Sequence, residues 1–234
     1  MTNTASWMDM PLAALDFETS SPDPLTTRIV TGCVLRVDGS EVRARNWLAN
    51  PGVEIPAEAT AVHGYTTEYA EKYGRPHDEV AAEVVAEVRQ VFAEGRALVI
   101  FNASFDATIL AANDPSFTSA EGLIVDPYVI DKRCDRYRRG SRKLSAVCIH
   151  YGIRLDDAHD AEADALAAAR LAYILPRRYP ELAAMTATEL MSAQVNWHTE
   201  QTASFAAYLE KQGKPVDDLR YGWPITQQRA EVTA

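Results

Sequence analysis

The sequence predicts an α/β protein built on a mixed sheet, on two observations. Near the start, two β-patterned runs at 28–38 and 41–48 flank Asp38-Gly39, a dipeptide suited to the left-handed backbone of a tight hairpin turn. Thereafter short apolar runs of strand length alternate with stretches of helical periodicity, the pattern of strand–helix units around a sheet.

Each element has its own reason. Residues 12–17 (LAALDF) make a short apolar first strand, and a Ser/Pro/Asp loop at 20–24 leads to the hairpin. Ile29, Thr31, Cys33, Leu35 and Val37 share one face of its first arm, and Val42, Ala44, Asn46 and Leu48 one face of its second. Pro56 opens a short helix over 56–63, and Gly64 ends it. Residues 78–94 form an amphipathic helix, since Val80, Val84, Val88 and Val91 recur at helical spacing and Gly95 comes next. The run 97–101 (ALVIF) is apolar throughout, as in a strand covered on both faces. A helix over 104–112, a loop at Asn113-Asp114-Pro115 and a short strand at 123–125 lead to Asp126-Pro127. Helices are expected at 144–151 and 160–175, the second rich in alanine. From Pro180 the chain reads as a separate helical region to about Lys211, opened by the capping box Thr186-x-x-Glu189. The expected division is a domain over 11–176 and a helical extension over 177–234. The extension packs on the core or on a partner, such as a second copy of the chain, with Trp197 and Trp223 as contacts.

Composition narrows the function. With 47% hydrophobic and 24% charged residues among 234, the chain is an ordinary globular one, neither fibrous nor disordered. No apolar run nears the roughly 20 residues of a membrane span, and the first ten residues lack the pattern of a secretion signal. Cys33, Cys134 and Cys148 are odd in number and form no close pair, which fits a cytoplasmic location. The formal net charge is −10, against a protein that coats duplex DNA. Residues 132–143 (KRCDRYRRGSRK) are the exception, carrying +6 and leaving −16 elsewhere. That block reads as a phosphate-facing patch or as a solvated loop, and charge alone does not choose.

Three motifs carry the candidate chemistry. Asp16-Phe17-Glu18 puts two carboxylates on one side of a strand end, where a divalent cation would hold them; the plain alternative is a strand running into a polar loop. Asp106, in Asn102-Ala-Ser-Phe-Asp106, lies just after a buried strand, at the carboxyl end where ligands bind in α/β sheets, or simply offsets a helix dipole. His159 stands at a loop–helix junction, with Asp164 about one and a half turns further on. A His159-Asp160 metal pair of the phosphohydrolase kind would need other histidines at helpful spacing, and His63, His77, His150 and His198 do not provide it.

Taken in order, Asp-x-Glu, Asn-x-x-Phe-Asp and His-x4-Asp resemble the DEDDh 3′–5′ exonucleases, the family of the proofreading epsilon subunit of bacterial DNA polymerase III and of RNase T. The resemblance covers about residues 11–176. It extends to Pro56-x-x-Ala59-x-x-Val62-His63-Gly64-Tyr65-Thr66 and to Leu144 with Tyr151-Gly152-Ile153.

The resemblance implies an RNase H-like exonuclease fold, with a five-stranded mixed sheet flanked by helices. It implies that Asp16, Glu18, Asp106 and Asp164 bind two divalent cations, Mg2+ or Mn2+, and that His159 is the general base. The reaction would release nucleoside 5′-monophosphates from the 3′ ends of single-stranded or frayed DNA. RNA 3′-end trimming by the same fold is the alternative activity, and a non-catalytic nucleic-acid or polymerase-binding module the alternative of another class. Thr19, His63, Asn102 and Phe105 match positions that meet the terminal nucleotide, although Phe105 also suits a core position and His63 a turn cap. Arg138, Arg139 and Arg142 would grip the strand upstream. One departure stands out: the family often has Thr-Gly or Thr-Thr-Gly after Asp-x-Glu, whereas this chain has Thr19-Ser20-Ser21-Pro22, so the turn must be built differently.

Overall fold

A computed structural model describes residues 5–155, 159–216 and 219–228. The order is β1 (Leu12–Thr19), β2 (Ile29–Asp38), β3 (Glu41–Asn50), α1 (Ala57–His63), α2 (Thr67–Tyr73), β4 (Arg75–Pro76), α3 (His77–Ala93), β5 (Ala97–Val99), α4 (Ala103–Asn113), β6 (Ile124–Val125), α5 (Pro127–Cys134), α6 (Leu144–Tyr151), α7 (Ala161–Arg178), α8 (Pro180–Ala183), α9 (Ala187–Lys211), β7 (Arg220–Tyr221) and β8 (Gln227–Gln228). The main sheet runs β4-β3-β2-β1-β5-β6. Its hairpin pairs are antiparallel, and β5, β6 and β4 join parallel to their neighbours. The mixed α/β sheet is therefore as the sequence predicts, with six strands in place of five. The additional one, β4, is only Arg75-Pro76 at the edge, too short to leave a hydrophobic pattern.

Residue chemistry accounts for the layers. Leu15, Val34 and Leu98 belong to the core on the α3 side, where Val80, Val84, Val88 and Val91 all point inward. Ala14, Leu35 and Val99 belong to the other core, under α7. There Ala161, Ala165, Ala168 and Ala172 let the helix lie close on β1 and β2. So β2 is buried on both faces from Ile29 to Leu35, while β3 is exposed from Glu41 to Asn46. Arg45 of β3 pairs with Glu83 and Glu87 of α3 at 2.9 and 2.5 Å. The turn glycines behave as expected: Gly39 (φ 66°) forms the hairpin corner and Gly64 (φ 81°) the left-handed cap of α1.

The C-terminal helices pack on this core. The capping box of α9 is complete, and α9 lies along α5 and β6. Gln194, fully buried, donates to Ile124 O at 2.8 Å and accepts the Asp126 N–H at 2.7 Å. At the other end the Trp7 indole donates to Leu182 O at 2.7 Å. The three cysteines are free, and among the described residues no helix is long and apolar enough to cross a membrane.

Candidate active site

The end of β1 supplies the first pair of carboxylates. Asp16 and Glu18 leave the same face of the strand. Just beyond, the ladder slips: Glu18 pairs with Thr31 and Thr19 with Ile29, leaving Val30 out of register. A bulge there bends the strand end and re-aims the side chains beyond it. The turn after it is made by hydroxyls. Ser21 N–H donates to Thr27 Oγ1 at 2.9 Å, Arg28 N–H to Ser20 Oγ at 3.0 Å, and the Thr19 hydroxyl to Ser21 O at 3.1 Å. Buried Ser20 and Thr27 thereby build the turn without the family's glycine.

The N-terminus of α4 supplies the third carboxylate. Asp106 is buried, and its Oδ1 accepts the Phe17 N–H at 3.2 Å, which locks it against β1 at the residue between Asp16 and Glu18. The helix start is fixed by Asp126, a residue that sequence reasoning placed after a short strand and gave no role. Its carboxylate accepts the N–H groups of Asn102 (2.9 Å), Ala103 (3.0 Å) and Tyr128 (3.0 Å) and the Trp223 indole (3.1 Å). The signal was available: Asp before Pro is a helix N-cap with proline at the first position, and α5 does start there.

The fourth comes from α7. Asp164 Oδ2 accepts the His159 N–H at 3.3 Å, while Oδ1 is buried without a hydrogen-bond partner. His159 is exposed on the turn before the helix. Among the described residues other than glycine, His159 (φ 73°) and Asn102 (φ 63°) alone have positive φ. Both flank the site, and both are residue types that tolerate this conformation.

Burial raises all four carboxyls. Burial, then the neighbouring acids Asp106, Asp164 and Glu18, push the Asp16 carboxyl well above its ordinary range. Burial with Asp164 and Asp160 raises Glu18 to about 8. Burial raises Asp106 against the hydrogen bonds from its own N–H and that of Phe17, and it raises Asp164 against His159. Carboxylates kept this close and dry need either protons or cations. One ligand atom each from Glu18, His159 and Asp164 lies within 4.8 Å of the others, close enough to share an ion.

The other positions divide. His63 is buried at the end of α1; burial, assisted by His159 and opposed by the Thr19 backbone, holds its imidazole below the ordinary value. Its Nδ1 accepts the Tyr65 N–H at 3.1 Å, and its Nε2 has no hydrogen-bond partner. Asn102 is exposed, and Phe105 is partly buried against the α3-side core. In the basic block, Arg138 and Arg142 close on buried Asp131 at 2.6 and 2.7 Å, and the Tyr151 hydroxyl joins at 3.0 Å. Two of the seven cations are thus built into an ion-pair cluster, whereas Arg139 is exposed.

This architecture is shared with known nucleases. The chain is similar to E. coli Exonuclease I in complex with a dT13 oligonucleotide (TM-score 0.61, 20% identity, covering 74% of this chain and 42% of that one). It is also similar to a moderately thermophilic Exonuclease I from Methylocaldum szegediense (TM-score 0.57, 22% identity, 74% and 42%). The chain thus spans less than half the length of these proteins. No curated protein matches it by sequence. Residues 13–172, which contain all four carboxylates and His159, match the family model described as Exonuclease (RNase_T), and the chain belongs to that family.

Proposed function

We propose that the chain is a metal-dependent 3′–5′ exonuclease that removes nucleoside 5′-monophosphates from single-stranded or frayed DNA. The observation that carries this reading is the set of four carboxylates, Asp16, Glu18, Asp106 and Asp164, drawn from three elements into one largely buried cluster with their pKa values raised.

The donor set fits hard divalent cations. It is oxygen-rich, and Asp164 Oδ1 is a buried lone-pair site with no donor to fill it, which suits Mg2+ or Mn2+ ahead of zinc. Two such ions, held by the four carboxylates, would activate water and stabilise the leaving 3′ oxygen. The chain's own groups do the rest. The Phe17 N–H and the His159 N–H hold Asp106 and Asp164 in place. The exposed imidazole of His159 takes the proton of the attacking water as general base. Thr19, His63, Asn102 and Phe105 receive the terminal nucleotide, with the Phe105 ring offering a stacking face. E. coli Exonuclease I, similar in fold, is known in complex with dT13 and dA16, which supports single-stranded DNA as the substrate.

The test is a time course on 5′-labelled single-stranded DNA and matched RNA with Mg2+, Mn2+ or EDTA. A metal-dependent ladder that shortens from the 3′ end is expected, faster on DNA. A faster RNA ladder would make the enzyme an exoribonuclease, and binding without cleavage would make it a non-catalytic module.

A further inference from the structure

Beside Asn102 runs a groove of about 630 Å³ that the family match does not cover on its far side. One wall is α5 with the turn after it; the other is α9, outside the matched residues. Two features of this groove suit an extended polyanion that carries aromatic bases.

The first is charge. Lys132, Arg133, Arg136, Arg138, Arg142 and Arg220 line it; Arg138 and Arg142 are held by Asp131 and Arg220 by Asp23, which leaves Lys132, Arg133 and Arg136 with the one lining acid, Glu200. In a chain of net charge −10 this concentrates positive potential in one channel. Three polar atoms on its lining, His198 Nδ1, Gln201 Oε1 and Arg220 Nη1, are buried with no hydrogen-bond partner.

The second is aromatic surface. Phe205 and Tyr208 are 50% and 55% exposed, with ring planes 16° apart and centroids 6.4 Å apart. Lys132 sits over the Tyr128 ring at 4.6 Å and Arg133 over Trp197 at 5.9 Å. Trp197 to Tyr208 is about 16 Å of helix at 1.5 Å per residue, the length of several nucleotides stacked at about 3.4 Å. Cations along a backbone and rings facing bases are the two components of sequence-tolerant single-strand binding. A protein partner would use the aromatic surface but not the three remaining cations, Lys132, Arg133 and Arg136.

We propose that this groove holds single-stranded nucleic acid upstream of the 3′ end, and that α9 is one wall of that track. The link to the carboxylate site is Asn102, which lines the groove and precedes the helix carrying Asp106. The inference rests on the exonuclease reading for its direction, with the 3′ end at the carboxylates.

The experiment is fluorescence anisotropy of labelled dT20 in EDTA at several salt concentrations, on the full chain and two double variants. Arg133→Ala with Arg136→Ala should flatten the slope of log K against log salt by about 1.4, two single-strand phosphate contacts at about 0.7 each. Phe205→Ala with Tyr208→Ala should weaken binding about tenfold or more with the slope unchanged. All four side chains are largely exposed, so unchanged thermal melting is expected and shows that the variants fold. Unchanged dT20 affinity in both variants overturns the proposal. The catalytic reading is separated by adding Mn2+ to the parent chain: bound but uncut dT20 sinks the exonuclease while the groove stands, and cut dT20 with unchanged variant affinity does the reverse.

Discussion

The indole N–H of Trp223 donates to Asp126 Oδ2 at 3.1 Å. That carboxylate also accepts the N–H groups of Asn102 and Ala103, so the C-terminal segment is wired to the start of the helix that carries Asp106. Trp223 itself is buried in the α3-side core.

Asp126→Ala would therefore strand several buried donors at once. Each costs about 1–3 kcal/mol when left unpaired, and α5 loses its N-cap, about 1 kcal/mol more. The expected result in urea unfolding is a loss of several kcal/mol. Trp223→Phe, which removes one donor and keeps an aromatic ring, should cost far less than Asp126→Ala. Equal losses would show that Asp126 does not organise this corner.

Asp16→Ala should abolish cleavage without unfolding the chain. Removing one acid relieves the repulsion that raises its neighbours, so thermal melting without metal should hold or rise. A collapse in melting temperature would make Asp16 structural.

His159→Ala should lower the rate by about 10²–10⁴-fold, the contribution of a general base, while the melting shift on adding Mn2+ persists. The carboxylates stay in place, and the His159 N–H that meets Asp164 belongs to the backbone. Near-normal turnover would remove the imidazole from the mechanism.

Glu18 sets a pH dependence. Its carboxyl has an ordinary value of 4.5 and is raised to about 8 in the fold. Between these values the folded chain keeps a proton that the unfolded chain has lost, so metal-free stability falls as pH rises from about 4.5 to 8. Glu18→Gln should flatten that slope, and Mn2+ should raise the melting temperature more at pH 8 than at pH 5. A metal-free stability that climbs with pH across this window would contradict the packing of these acids.

The basic block separates by burial. Arg142 reaches Asp131 and also the carbonyls of Asp135 and Arg138 at 2.5 and 3.1 Å. Its loss from a buried cluster should cost about 2–4 kcal/mol, near the range for breaking a buried pair. Arg139→Ala, at an exposed position, should stay within about 0.5 kcal/mol. Comparable chemical-denaturation midpoints for the two variants would refute the distinction.

Much of the fold was legible in the residues because it depends on short-range chemistry. The hairpin comes from Asp38-Gly39, the α1 stop from Gly64, α3 from its valine spacing and α9 from its capping box, all of which act within a few residues. The carboxylates were legible through the order of their motifs. What was not legible is long-range. Nothing near Asp131 announces that Arg138, Arg142 and Tyr151 fold back onto it, and a basic run looks alike whether its cations face solvent or a buried acid. Gln194 reads as a polar residue on a helix, yet it is fully buried between Ile124 and Asp126. The α2 helix, TEYAEKY, and the strand Arg75-Pro76 are too short for periodicity to register.

The left-handed backbone at Asn102 and His159 has a consequence for how this chain can drift. A β-branched residue at either position would meet a steric penalty of about 1–2 kcal/mol before any loss of contact with a phosphate or a base. Asp or Gly would enter position 102 with little strain. Selection for the proposed cleavage would therefore confine these two sites, while a lineage freed of that work would lose the confinement at both together. A valine or isoleucine at 102 or 159 in a homologous chain would then be a mark of lapsed selection, readable without an assay.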